Sequence, residues 1–305
     1  MFQKQPIMRR VLYSLAPIFL FSVYLFGWRP VAILAVALVV GILTEYLFER
    51  GRGKKPSEAV LVTCALYALS MPPLVPLWIV AVGILFAVFM AKEVYGGFGR
   101  NVFNPAIAGR LFVYISFPTT MQAGFLTAGA FGIGADAVSA ATPLALMRAG
   151  ERTPIADLLL GLRSGSIGEG SMVLIVLAAI YLLATKTASW RLMLSAAASG
   201  AILTFALLAA GIAKALPAES LLSGSFLFVA VFMVTDPVSA PKKPRAQLAY
   251  GIVIGVCTVL VRTFSLFPEG TSFGVLIGNT AASLLDEILG KKKAVTAAAG
   301  KGGAA

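Results

Sequence analysis

Ten apolar stretches, at about 11–28, 31–48, 58–71, 74–92, 104–117, 171–185, 191–213, 221–235, 246–262 and 272–289, follow one another along the chain, and most charged residues fall between them. Runs of this kind read as helices that lie within a membrane. Composition agrees. Of 305 residues, 59% are hydrophobic and 12% charged, against roughly 45–50% and about 25% in an ordinary globular domain. The chain is therefore expected to be an all-α polytopic membrane protein with about ten transmembrane helices. It has no histidine and only Cys64 and Cys257, about 190 residues apart. Such a chain offers no set of ligands for an iron–sulfur cluster, a zinc ion or a haem, so no metal site is expected.

The excess of basic over acidic residues gives a formal charge of +12. On a soluble protein it would suggest nucleic acid, but on a membrane protein it reports orientation, and no nucleic-acid partner is expected. Threaded alternately, the ten spans put the N-terminus, the 49–58, 92–103, 186–191 and 236–245 connections and the tail on one side. That side carries 18 Lys and Arg residues, against six on the other, namely Arg29, Arg148, Arg152, Arg163, Lys214 and Arg262, with Arg110 inside a span. Lys and Arg stay on the cytoplasmic face. Both termini are thus expected inside and the long 118–170 connection outside. The first span reads as an anchor rather than a removed signal peptide. Four units result: a first five-helix repeat over 1–117, an extracytoplasmic loop over 118–170, a second five-helix repeat over 171–290, and a disordered cytoplasmic tail over 291–305.

A helix needs about 20 residues to cross roughly 30 Å of hydrocarbon, yet the third, fifth, sixth and eighth stretches offer only 14 or 15. Some helices must be broken. The breaks match between halves: Met71-Pro72-Pro73-Leu74-Val75-Pro76 and Thr235-Asp236-Pro237-Val238-Ser239-Ala240-Pro241 carry the same Pro-x-x-x-Pro spacing about 165 residues apart. Each is followed by one span, a glycine-rich hinge (Gly96, Gly97 and Gly99; Gly270 and Gly274) and an asparagine expected near a helix start (Asn104; Asn279). Five spans per half make the repeat inverted, and in such folds discontinuous helices are tolerated where they line a ligand site.

Polar residues inside this frame need a reason. Asn104 before Pro105 can cap a helix. Asn101 and Asn104 together read either as cap and turn residues or as ligands of a flavin or quinone. Arg110 lies one and a half turns into an apolar helix, where a charge is expensive and usually functional. Asp236 can pair with Lys242 or Arg245, or belong to the site. Glu45, Glu93 and Asp286 are expected to form salt bridges or snorkel.

Within the long connection stands Asp136-Ala137-Val138-Ser139-Ala140-Ala141-Thr142-Pro143-Leu144. It resembles the Asp-x-x-Ser-Gly-Ala-Thr motif at which a flavin transferase joins the phosphate of FMN to a threonine hydroxyl, with Ala140 in place of Gly. Together with Gly99-Arg100-Asn101-Val102-Phe103-Asn104-Pro105-Ala106 and the Thr235–Pro241 segment, it makes residues 30–290 resemble the RnfD/NqrB family, which holds the D-type component of Rnf electron-transport complexes and its B-type counterpart in the sodium-translocating NADH:quinone oxidoreductase. The chain lacks the long N-terminal extension expected of the B-type component, so RnfD is the nearer resemblance.

That resemblance implies a membrane electron carrier in an Na⁺- or H⁺-translocating complex of a bacterial or archaeal cytoplasmic membrane. FMN would be esterified to Thr142 within the motif of Asp136 and Ser139. Following the sodium-pumping relatives, a non-covalent riboflavin would lie at Asn101 and Asn104, with Asp236 beside it. The implied partners are other subunits, including a second flavinylated subunit and iron–sulfur subunits, and the flavin transferase. No Gly-rich dinucleotide fingerprint is present, so primary oxidation belongs to those partners. Two other readings compete: a small-solute channel or transporter, since five-plus-five inverted repeats are similar to urea transporters, and a flavin subunit serving extracellular acceptors.

Overall fold

The computed structural model describes residues 2–126, 141–161, 163–265, 267 and 269–299, the last nine as backbone alone. The described residues are mostly helical. In chain order the helices are α1 (Pro6–Phe26), α2 (Arg29–Gly51), α3 (Ala59–Leu69), α4 (Leu77–Val88), α5 (Pro105–Ser116), α6 (Pro118–Ala123), α7 (Pro143–Ala149), α8 (Ile155–Leu160), α9 (Met172–Ala184), α10 (Trp190–Ala209), α11 (Pro217–Leu222), α12 (Phe226–Phe232), α13 (Pro244–Phe264) and α14 (Gly270–Ala299). A π-helical turn, Phe89–Glu93, prolongs α4, and a 3-10 turn, Ile167–Glu169, precedes α9. Many of these helices begin at a proline, whose fixed φ suits the first turn and whose missing N–H would be unpaired there anyway.

Each of the ten apolar stretches contains a helix, but among the described residues only α1, α2, α10, α13 and α14 are long and apolar enough to cross a membrane. The 11 residues of α3 and 12 of α5 reach only about 16–18 Å, as expected of broken helices. The eighth stretch is interrupted more than its length suggests. Gly224, at φ +65°, separates α11 from α12, and α12 keeps just seven residues. At the other end of the sequence, helical backbone continues through Ala299, into the stretch expected to be a disordered tail. Ala and Lys, which dominate there, are both strong helix formers.

The two glycine clusters differ in kind. Gly96, Gly97 and Gly99 all have positive φ, from +85° to +107°, and turn the chain back into α5 as a hinge should. Gly270 and Gly274 instead sit inside α14, and a Cβ on Gly274 would stand 2.8 Å from the Ile254 carbonyl oxygen and 2.9 Å from Thr258 Oγ1. They let α14 lie against α13, the small-residue approach common between membrane helices. Asn279 is accordingly mid-helix rather than near a helix start.

The basic connections gather at one end of the bundle. Gln3 bonds Pro56 and Lys55, Arg9 grips Glu58, Arg10 reaches the Thr185 carbonyl, and Arg52 bridges Glu49 and Glu93. The Arg9 guanidinium hydrogen bond holds the Glu58 carboxyl below the usual range. At the opposite end Arg29 donates to the Pro73 and Val75 carbonyls. Between the ends, α5 touches α3 and α14, and α12 touches α9 and α14, so a short helix of each half packs against α14.

The close approach of α13 and α14 is directly testable. Gly274→Ala forces a shift against backbone and should cost on the order of 1–3 kcal/mol, seen as a lower unfolding temperature of the purified protein in detergent. Gly51→Ala, where nothing lies within 4 Å, should leave that temperature unchanged. Equal behaviour of the two variants would refute the packing role.

Candidate functional site

Two polar centres lie along α5. At its start the Asn104 side-chain oxygen accepts from the Ile107 N–H at 3.2 Å, capping the helix. The Asn104 side-chain amide donates to Asp236 Oδ2 at 3.3 Å, and its backbone N–H donates to Asn279 Oδ1 at 3.0 Å. Asn279 in turn donates to the Tyr250 hydroxyl at 2.7 Å and to the Ser239 carbonyl. Asp236 also accepts from Ser239 Oγ at 2.9 Å and from the Val238 N–H at 3.1 Å. These contacts are with an amide, a hydroxyl and backbone, not with Lys242 or Arg245. The carboxylate that holds the Lys242 and Lys243 backbone is Asp286, at 2.8 and 2.9 Å.

Asn101 donates to the Phe103 carbonyl at 3.0 Å, and with Asn104 and Asp236 it lines one cavity of about 50 Å³. Sequence reasoning therefore named three residues that the fold brings together. The cavity has room for a water or two, not for a three-ring flavin, and both ends of the Asn104 amide are already bonded. In the arrangement seen, a flavin does not fit there.

Beside this centre lies a buried ion pair. Lys92, 2% exposed, donates to Glu45 Oε2 at 2.6 Å and to Ser57 Oγ at 3.1 Å. Glu45 Oε1 accepts from both the N–H and the hydroxyl of Ser57. With Glu93 held by Arg52 at 2.6 Å, the salt bridges expected of Glu45 and Glu93 are present.

The second centre is a pocket of about 400 Å³ lined by Tyr114, Gln122, Phe125, Ala141, Thr142, Arg148, Ser164, Glu169 and Glu269, among others. That volume is in the range of cofactor sites. Thr142 caps α7, its Oγ1 accepting from the Ala145 N–H at 3.3 Å. Asp136 and Ser139 of the same motif lie outside the described residues. Arg148 Nη2 donates to the carbonyls of Arg262, Ser265 and Phe267, each at 2.9 Å, and ties α7 to the end of α13. Ser164 Oγ donates to the Ala141 carbonyl at 2.6 Å, which fixes the residue before Thr142 beside the segment that carries Glu169.

Beneath this pocket is a charge cluster that sequence reasoning saw only through Arg110. Arg110 Nη2 lies 3.5 Å from Glu269 Oε2 and 3.9 Å from Glu169 Oε1, and the guanidinium donates to Ser166 and Ser272. Glu269 accepts from Ser225 Oγ at 2.7 Å, and Arg262 donates to the Ser220 and Ser223 carbonyls and to Thr271. Burial, reinforced by Glu269, pushes the Glu169 carboxyl up, and burial pushes the Arg163 guanidinium down. Burial also opposes ionisation of Glu269, but Arg110, Arg262 and Ser225 outweigh it and bring that carboxyl below its usual range. Glu169 and Arg163 sit among Gly and Ser in a segment that reads as an ordinary loop; only long-range packing reveals their burial.

Asn104→Asp keeps a capping oxygen, loses the donor to Asp236 and sets a second carboxylate against it, whereas Asn104→Ala loses the cap and the contact without adding charge. The Asp variant should be the less stable of the two in thermal unfolding near neutral pH. If it matches the wild-type protein, the Asn104–Asp236 contact carries no weight.

Comparison with known proteins finds matches over most of the chain. A family model described as "NQR2, RnfD, RnfE family" matches residues 2–294. The D component of an ion-translocating oxidoreductase complex of Shewanella amazonensis is 33% identical, covering 93% of this chain and 92% of that protein. Its counterpart in Aeromonas hydrophila is 32% identical over 94% and 93%. The B component of a Na⁺-translocating NADH-quinone reductase of Chromohalobacter salexigens is 39% identical over 82% of this chain, which spans 63% of that protein's length.

Proposed function

The chain belongs to the NQR2, RnfD, RnfE family, and on that premise we propose that it is the membrane-embedded electron-carrying subunit of an ion-translocating oxidoreductase complex, with FMN esterified to Thr142. The observation that carries this reading is the pocket beside the Thr142 hydroxyl. Its volume of about 400 Å³ suits a flavin, Tyr114 and Phe125 offer apolar faces, and Arg148, Ser164, Glu169 and Glu269 supply polar edges. When bound, FMN supplies the redox chemistry, while the protein sets position, hydrogen bonding and charge around it. Thr142 provides the anchoring oxygen, and the α7 cap together with the Ser164 contact holds that residue in place.

Electrons enter and leave through partners. The relatives' names describe multi-subunit complexes, and the partners proposed here are a second flavinylated subunit, iron–sulfur subunits and, during maturation, a flavin transferase. Charge supports the orientation: the end where the 49–58, 92–103 and N-terminal segments meet is cytoplasmic, and the Thr142 end is extracytoplasmic. A riboflavin at Asn101 and Asn104 requires the Asn104–Asp236 contact to open first, so it belongs to a state other than the one described.

Purified protein should show a fluorescent band in a denaturing gel and a mass increase of FMN less water, both lost in Thr142→Ala and kept in Thr142→Ser, since the ester needs only a hydroxyl. Persistence in the Ala variant would move the attachment elsewhere. A colourless wild-type protein that conducts a small solute would favour the channel reading instead.

Orientation has its own test. In a background lacking Cys64 and Cys257, a cysteine replacing Arg152 should react with an impermeant reagent added to intact cells, and one replacing Lys242, also exposed, should react only after the membrane is opened. Equal labelling of both from outside would invert or break the proposed topology.

A further inference from the structure

The Thr142 pocket has a floor of buried ions, of which holding the flavin uses only the polar edges that Glu169 and Glu269 present. Five charged side chains meet there: Arg110 from α5, Arg163 and Glu169 from the segment before α9, Arg262 from α13 and Glu269 from the connection to α14. Arg148 from α7 and Tyr114 from α5 face the same pocket. Glu269 is fully engaged, by Arg110 at 3.5 Å and by the hydroxyl and N–H of Ser225. Glu169 is not. It is 4% exposed, its Oε1 has no hydrogen-bond partner among the described residues, and Arg110 approaches it only to 3.9 Å. A buried carboxylate oxygen left without a donor is costly, and the cost disappears when that oxygen binds a proton.

We infer that Glu169 is the redox-linked proton-binding group of this pocket: when a flavin seated there gains an electron, the Glu169 carboxylate gains a proton. The inference rests on the reading that Thr142 carries FMN. The balance is simple. One electron passes from a reduced iron–sulfur or flavin carrier in a neighbouring component of the complex to the ring, one proton passes from water at the Thr142 end to Oε1 of Glu169, and the net charge of the pocket is unchanged. Oxidation of the ring reverses both. The burial that raises the Glu169 carboxyl sets the group to respond, because added negative charge on the ring favours its neutral form further.

The test uses the full-length protein with its native flavin, reduced stepwise at an electrode in detergent. Wild-type protein should show a protonated-carboxyl stretch appearing in the reduced-minus-oxidised infrared difference spectrum, and Glu169→Gln should lack it. The midpoint potential of the Gln variant should also depend on pH by one proton less, a change of about 59 mV per tenfold change in proton concentration for a one-electron couple. Glu169→Asp, which keeps a carboxyl should the Gln variant fold poorly, should retain the band at a shifted frequency. Covalent flavin fluorescence is read on every sample. If it is present and the band and slope are unchanged in Glu169→Gln, the inference fails while the attachment reading stands; if wild-type protein has none, the attachment reading fails and takes the inference with it.

Discussion

Helices that stop inside an apolar bundle leave backbone N–H and C=O groups that cannot turn to water, so each break must be closed by other parts of the chain. At the break after α3, the Met71 carbonyl receives the N–H of Ile167, the N–H of Leu74 reaches Gly124, and Arg29 takes the Pro73 and Val75 carbonyls. At the break after α12, Asp236 and Asn279 accept from or donate to the 236–239 backbone, and Asn104 is bonded to both residues. Closing the breaks draws the two halves of the sequence onto each other and puts polar groups at the middle of the bundle. The polar centres follow from the same constraint that shortens the helices.

Buried charge is the second consequence. Lys92 with Glu45, and Arg110 with Glu169 and Glu269, are nearly inaccessible to solvent. Taking such groups out of water costs several kcal/mol per ion, and their mutual attraction often fails to return it. They are poor explanations of stability. They do single out one arrangement, because Lys92 needs Glu45 of α2 and Ser57 before α3 together, and a slipped helix would leave a charge unpaired. Thr142 caps a short helix beside this network, so its pocket combines a fixed anchor with a charged floor.

How much of this is legible in the sequence depends on range. Proline at the first helical turn marked the start of α5, and the matched Pro-x-x-x-Pro segments marked both breaks. Asn101, Asn104 and Asp236 were singled out by local chemistry, and they share one cavity. Range defeats the rest. Gly270 and Gly274 read as a hinge because a turn glycine and a packing glycine look alike until α13 is placed against them. Asp236 finds Asn104, 132 residues away, rather than Lys242 or Arg245 nearby in sequence. Glu169 is hidden among small residues, and nothing local says that it is buried.

The geometry of α5 links the two centres. Asn104 opens the helix and Tyr114, ten residues on, lines the Thr142 pocket; at 1.5 Å per residue the two are on the order of 15 Å apart along its axis. Arg110 stands between them, its guanidinium turned to the two glutamates. Its positive charge there lowers the energy of negative charge arriving in the Thr142 pocket more than at the far end of α5, because Coulomb attraction in a poorly screened interior falls with distance. Glu169 and Glu269, which line the pocket themselves, offset that attraction. One short helix thus sets the spacing of the two polar centres.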